Sequence, residues 1–235
     1  MTELTDGEIA RLQAEFETAY PQAILRWAAE HFGERLAVVT SFQPTGIVTL
    51  HMLHEIAPQT TVLTLETGLL FPETRALIDQ LETQLNLNIR RVRPQLSVEE
   101  QVAQYGDALW ARNPDQCCQM RKVAPLGPAL EGFDAWVSGL RRDQSSNRAA
   151  TPIISRDRRY GRIKLAPFAT WTEDMLWTYI HAHELPYNEL HDRGYPSIGC
   201  WPCTAAVDSA GYSRAGRWTL HAKAECGIHL SPAAD

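Results

Sequence analysis

Short apolar runs alternate along the chain with longer stretches of helical period. Leu36-Ala37-Val38-Val39-Thr40 is apolar almost throughout, as suits a strand buried on both faces. A turn of smaller residues, Ser41-Phe42-Gln43-Pro44-Thr45-Gly46, and a helix over 47–56 follow it. Thr61-Val62-Leu63-Thr64-Leu65 predicts a second strand, and Glu66-Thr67-Gly68 turns into a helix beginning near Pro72, a residue suited to the first helical turn. Asn88-Ile89-Arg90-Arg91-Val92 predicts a third strand, and Ser97 with Glu100 forms a capping box for the next helix. Further strands are predicted at 133–139 and 162–165, and Thr172 caps a helix that turns Met175, Leu176, Tyr179 and Ile180 inward. This alternation predicts an α/β fold: a mostly parallel sheet with helices on both faces.

The two ends differ from this core. Ile9, Leu12, Phe16 and Ala19 fall at helical spacing, Pro21 interrupts them, and a second helix carries Ile24, Trp27 and Ala28 before ending near Gly33. Residues 1–34 therefore read as a helical covering layer and 35–184 as the α/β core. The segment 185–235 turns irregular, with Pro186, Gly194, Pro196, Gly199 and Pro202. The 235 residues form one domain on this reading, with no repeat and no long linker. No apolar run approaches the ~20 residues of a membrane span. A formal net charge of −6 argues against general nucleic-acid binding, although basic residues gather at Arg141-Arg142 and over 156–164. Nothing at the N-terminus looks like a signal peptide, so a cytoplasmic protein with free thiols is expected.

The five cysteines carry the candidate chemistry. They stand as Cys117-Cys118, as Cys200-Trp201-Pro202-Cys203, and as a lone Cys226. Four thiolates from two distant segments suit zinc or an iron–sulfur cluster. Zinc ribbons commonly use two Cys-x-x-Cys knuckles, so the adjacent pair points toward iron–sulfur. Cys226 is then left over, where a reactive thiol is expected. Against these readings stand five separately buried cysteines, since free Cys is often buried, and a disulfide framework, for which the chain is long.

Cys117-Cys118-Gln119-Met120-Arg121-Lys122 with Pro125-Leu126 resembles the Cys-Cys-x-x-Arg-Lys-x-x-Pro-Leu motif of assimilatory adenylyl-sulfate (APS) reductases of the iron–sulfur type. Ser197-Ile198-Gly199-Cys200-Trp201-Pro202-Cys203-Thr204 resembles their second cluster segment, and Glu225-Cys226-Gly227-Ile228-His229 their C-terminal catalytic motif. The resemblance runs from about Val38 to Leu230. It implies a fold of the PP-loop, adenine-nucleotide-hydrolase-like type and a [4Fe-4S] cluster on Cys117, Cys118, Cys200 and Cys203. Cys226 becomes the nucleophile. Lys122 lies between cluster and substrate, where its charge would offset the cluster's and attract sulfate. Gly139, Arg148, Arg214, Arg217, His229 and, in the nucleotide-side loop, Leu65 are implied as substrate contacts. Relatives carry a Ser-Gly-rich turn where this chain has Gln43-Pro44-Thr45-Gly46, which leaves the contacts of that turn open. His183 and His221 match no motif and are expected to be structural or surface groups.

The implied reaction is reduction of adenosine 5'-phosphosulfate to sulfite and AMP by thioredoxin or glutaredoxin, through a Cys226 S-sulfonate, in sulfate assimilation toward cysteine. Reduction of the 3'-phosphorylated substrate (PAPS), or use of both, is the nearest alternative; PAPS-specific relatives typically lack the four ligand cysteines. A PP-loop sulfurtransferase acting on transfer RNA is a second, opposed by the acidic charge and the C-terminal motif. A zinc-stabilised nucleotide-binding module is a third. Homo-oligomerisation is left open.

Overall fold

The computed structural model describes residues 4–207, 214, 216–219, 221, 223 and 225–229. Its centre is a six-stranded sheet of β1 (Leu36–Val39), β2 (Thr61–Leu65), β3 (Asn88–Val92), β4 (Ala135–Ser138), β5 (Ile154–Asp157) and β6 (Arg162–Leu165). The strand order is β3-β2-β1-β4-β6-β5. All pairings are parallel except β5 with β6, so the sheet is mostly parallel, as the alternating pattern predicts. The order reverses between β1 and β4, whose following connections leave in opposite directions and open a crevice at their C-terminal ends.

The period-2 geometry of the strands sends alternate side chains to two cores. Leu36, Val38 and Val62 meet the helices α2 (Pro21–Phe32), α3 (Pro44–Ile56), α4 (Pro72–Gln84) and α9 (Glu173–Ala182) on one face. The helix α1 (Asp6–Phe16) adds Leu12 and Phe16 to the same core. Ala37, Leu63 and Trp136 point to the other face, where Leu126, Leu130 and Phe133 cover them. Leu126 comes from the short helix α8 (Ala124–Ala129). Between β3 and α8 lie α5 (Val98–Tyr105), α6 (Leu109–Arg112) and α7 (Pro114–Cys118).

Local signals set several boundaries. Thr5 and Ser97 form capping boxes with Glu8 and Glu100, and Thr172 accepts from the Met175 N–H. Pro21, Pro44 and Pro72 stand in the first turns of α2, α3 and α4, where no intrahelical N–H is required. Strand β5 departs from the expectation, which puts no strand at 154–157 and begins a basic stretch at Arg156. It is a short antiparallel edge strand whose outward positions are polar, so it lacks the apolar run of a central strand. Among the described residues, no helix is long and apolar enough to cross a membrane.

Candidate active site

The crevice between β1 and β4 is a cleft of about 210 Å³. Its floor is the turn from β1 into α3. Phe42 takes a left-handed conformation, φ 55°, and its N–H donates to Thr40 Oγ1 at 3.0 Å. A side chain at Gly46 would overlap that same hydroxyl, so only glycine lets the turn close against β1. The N-terminus of α3 then faces the cleft with Pro44, Thr45 and Gly46. Gln43 Oε1 accepts from the Ile198 N–H at 2.9 Å and thereby ties this turn to the irregular C-terminal segment. Arg141 is fixed on the wall by Thr45 Oγ1 at 2.9 Å and by Asp143 at 2.9 Å. Arg142 points away and pairs with Glu17 of the N-terminal layer at 2.6 Å. Leu65 and Gly139, at the ends of β2 and β4, also line the cleft.

Beside the cleft, Cys117, Cys118, Cys200 and Cys203 line one small cavity. The first pair ends α7, which Asn113 caps by accepting from the Gln116 N–H at 3.1 Å. The chain continues into a π-helical turn over Gln119–Val123, whose wider spacing changes the direction of Lys122 from that of an α-helical neighbour of Cys118. The second pair flanks a 3₁₀ turn docked on the β2–α4 loop, where Trp201 N–H donates to Leu69 O at 2.9 Å and Thr67 Oγ1 lies 3.4 Å from Cys200 Sγ. Burial and the neighbouring thiols of Cys118, Cys200 and Cys203 push the Cys117 thiol up to about 12. Burial, then Cys200, pushes Cys203 up to about 11. Burial also raises Cys118, against the opposing pull of Lys122 and Lys223. A positive group placed among such thiols favours their ionised form. Among the described residues, no three His, Cys, Asp or Glu side chains form a group spaced for a single metal ion.

Lys122 and Cys200 line both the thiol cavity and the cleft. Burial opposes the charge of Lys122, but Cys200, Cys118 and Cys226 outweigh it and hold its pKa above the ordinary lysine value. Arg121, the other cation of that motif, lines the thiol cavity but not the cleft. It is buried, donating to Gln101 Oε1 at 3.0 Å and to Thr67 O, and so fixes the β2–α4 loop on α5.

The last described residues close the cleft. Buried Trp218 lies under three cations: the Arg217 guanidinium at 4.6 Å, Arg214 at 5.5 Å and the Lys223 ammonium at 5.5 Å. Arg217 Nη1 donates to Ser197 Oγ at 3.2 Å, and a side chain at Gly199 would overlap its guanidinium. Burial and nearby Arg148 bring Arg214 down to about 10, so it stays charged at neutral pH. Cys226 lines the cleft. His229 stacks on Trp136 with centroids 5.9 Å apart and planes 11° from parallel. Burial and the positive Lys164 hold it well below the ordinary imidazole value, so it is neutral at pH 7. Arg148 lines the cleft too, but both nitrogens of its fork bond Glu225 at 2.6 Å.

All the expected substrate-contact residues thus line one cleft with Cys226, and the four remaining cysteines share the adjoining cavity. Leu230, where the resemblance ends, and Ala215, between Arg214 and Arg217, lie outside the described residues. His183 stacks on Tyr179 with centroids 4.1 Å apart, away from the cleft lining. Three contributors carry no sequence expectation of their own: Trp218, Glu225 and Lys164. Each stands in or beside a quoted motif or a predicted strand, but only the folded geometry gives it a partner.

The model of the phosphoadenosine phosphosulfate reductase domain matches residues 35–206. The chain belongs to that family. Within it, an adenosine 5'-phosphosulfate reductase of Salinibacter ruber is 52% identical over 225 residues, which is 95% of this chain and 89% of the relative. The crystal structure of a phosphoadenylyl-sulfate reductase from Candida auris, a phosphate complex, superposes with a TM-score of 0.78 at 31% identity, covering 88% of this chain and 99% of that one. A Candida glabrata FMN adenylyltransferase, with TM-score 0.60 at 13% identity over 99% of this chain and 82% of its own, shares the fold.

Proposed function

We propose that this member of the family reduces adenosine 5'-phosphosulfate to sulfite and AMP, with Cys226 as nucleophile. The observation that carries the reading is the placement of Cys226 in a cleft whose wall cation, Lys122, also faces the four-cysteine cavity. The adenosine lies toward the strand ends at Leu65 and Gly139. The sulfate lies toward Lys122, Arg214 and Arg217, with His229 beside it. The Cys226 thiolate attacks the sulfate sulfur, the bond from sulfur to the bridging oxygen breaks, and AMP leaves with that oxygen. A thiolate of thioredoxin or glutaredoxin then attacks Cys226 Sγ and releases sulfite. The resulting mixed disulfide is resolved by the second thiol, so the dithiol supplies both electrons and ends as a disulfide.

Cys117, Cys118, Cys200 and Cys203 fit a [4Fe-4S] cluster as a donor set: four thiols and, among the described residues, no harder ligand around one cavity, with Arg121 and Lys122 beside them. When bound, the cluster supplies negative charge and a cross-link between the two cysteine segments. Lys122 balances that charge and presents its ammonium to the substrate.

A second reading, reduction of the 3'-phosphorylated nucleotide, is favoured by the likeness to the Candida auris enzyme. Sulfite release measured in parallel with APS and PAPS, with thioredoxin as reductant, tests both. Turnover of APS at well above the PAPS rate is expected; equal or reversed rates contradict the assignment of substrate. No sulfite from either contradicts the function.

A further inference from the structure

We propose that Glu225 is the positioning residue for Cys226, and that Arg148 serves this anchor rather than the substrate. The proposal rests on the reading of Cys226 as the nucleophile. Glu225 immediately precedes Cys226. Its two carboxylate oxygens accept from Arg148 Nε and Nη2, each at 2.6 Å, in the parallel fork that fixes orientation as well as distance. Arg148 is 9% exposed and Glu225 is 7% exposed.

The arginine is itself held in place. It closes a 3₁₀ turn after β4, where its backbone N–H donates to Ser145 O at 3.0 Å and its carbonyl accepts from Thr151 N–H at 2.8 Å. Its Nη1 donates to Gln144 Oε1, and that oxygen also accepts from the Arg141 N–H at 3.1 Å. A chain of contacts therefore runs from the end of β4 to the residue before the nucleophile. On the other side of Cys226, Ile228 enters the apolar cluster around Trp136, and His229 stacks on that ring. Cys226 is suspended between these two attachments.

The pair also changes what the cleft offers an anion. Three guanidinium donors of Arg148 are committed to Glu225 and Gln144, and the carboxylate cancels its charge nearby. Glu225 Oε2 is a further 3.6 Å from Arg214 Nη2. Among the described residues, Lys122 and Arg217 are then the cations that line the cleft without a carboxylate contact of this kind. A buried carboxylate one residue from a nucleophile is worth its desolvation only if it fixes something, and here the fixed element is the backbone of Cys226.

The test uses the holoenzyme with Glu225→Gln, Arg148→Gln and the double variant. APS dissociation constants are measured with each change placed in a Cys226→Ser background, which blocks turnover. The rate of sulfonate-adduct formation in a single turnover without reductant is measured in the Cys226 forms. The anchor predicts APS affinity within about threefold of the parent for every variant. Adduct formation falls at least about tenfold in each single variant, the scale of a small misplacement of a reacting atom. The double variant is no slower than the slower single one, because both changes break one contact. Arg148→Gln weakening APS binding about tenfold while Glu225→Gln leaves it intact would overturn the proposal, making Arg148 a substrate ligand. Adduct formation in Glu225→Gln within about twofold of wild type, or loss of its APS binding, would also overturn it. Failure of the underlying reading looks different: the wild-type protein itself forms no adduct, or forms it on another cysteine.

Discussion

Lys164 offers a prediction whose size follows from its surroundings. It lies on β6 with its ammonium 4.9 Å from the centre of the Trp136 ring, on the sheet face that carries Ile228. Burial, partly countered by Asp157 and joined by the charge of Arg148, pulls it from the ordinary 10.5 down to about 8. That gap corresponds to about 3 kcal/mol against the charged form. Below pH 8 the amine is protonated in both folded and unfolded chains, and the folded state carries the full cost. Between about 8 and 10.5 the unfolded chain binds the extra proton, so this group's contribution to stability rises with pH. Above that window both forms are neutral and the cost is gone. Lys164→Met keeps the aliphatic packing and removes the charge. At pH 7 it should raise the thermal midpoint by ~6–12 °C, the shift that about 3 kcal/mol gives a domain of this size. The gain should shrink as pH rises from about 8 and vanish above about 10.5, and comparison with wild type at each pH cancels the opposite slopes of the buried thiols. Competitive acetylation of the intact protein, read as the labelled Lys164 peptide against pH, should titrate near 8. A midpoint at the ordinary lysine value, or a variant no more stable at pH 7 than wild type, would refute the reasoning.

Three further changes bear on the site. Lys122→Ala should fold and bind nucleotide but lose about 10- to 100-fold in kcat/KM, the value of one charge-assisted contact in a half-buried site; a value within about twofold of wild type would reject its role. Cys117→Ser should deplete iron and lower the unfolding midpoint together, because cluster binding is coupled to folding, whereas stoichiometric zinc without iron in anaerobically prepared wild type would contradict the cluster. Gly199→Ala should leave the fold intact, since the atoms nearest its new methyl are the movable end of Arg217, and weaken APS binding several-fold by displacing that guanidinium; unchanged affinity by equilibrium binding would remove Arg217 from the site.

The sheet was legible because its central strands are buried on both faces and therefore read as apolar runs. The central strand at 61–65 lies where the pattern puts it, and so does the edge strand at 88–92, which Ile89 and Val92 mark without an apolar run. The other edge strand, 154–157, was not legible, because it is short and Arg156 and Asp157 resemble a loop. The cysteine pairs, Lys122 and Cys226 announce themselves by spacing and motif. Their convergence does not, since it depends on contacts such as Gln43 with Ile198 and Leu69 with Trp201, which join residues far apart in the chain. Arg148 shows the same limit from the other side. A guanidinium beside a ligand cleft reads as an anion contact, and only the fold shows a buried carboxylate occupying its fork.

The claim at the centre of this account is that Cys226 carries the sulfur between substrate and reductant. The measurement that meets it most directly is peptide mass mapping after the anaerobic protein has been incubated with APS and no reductant. The account predicts one sulfonate group, confined to the peptide containing Cys226, formed with an equal amount of AMP and removed by reduced thioredoxin with release of sulfite. No adduct, or an adduct on Cys117, Cys118, Cys200 or Cys203 instead, would contradict it.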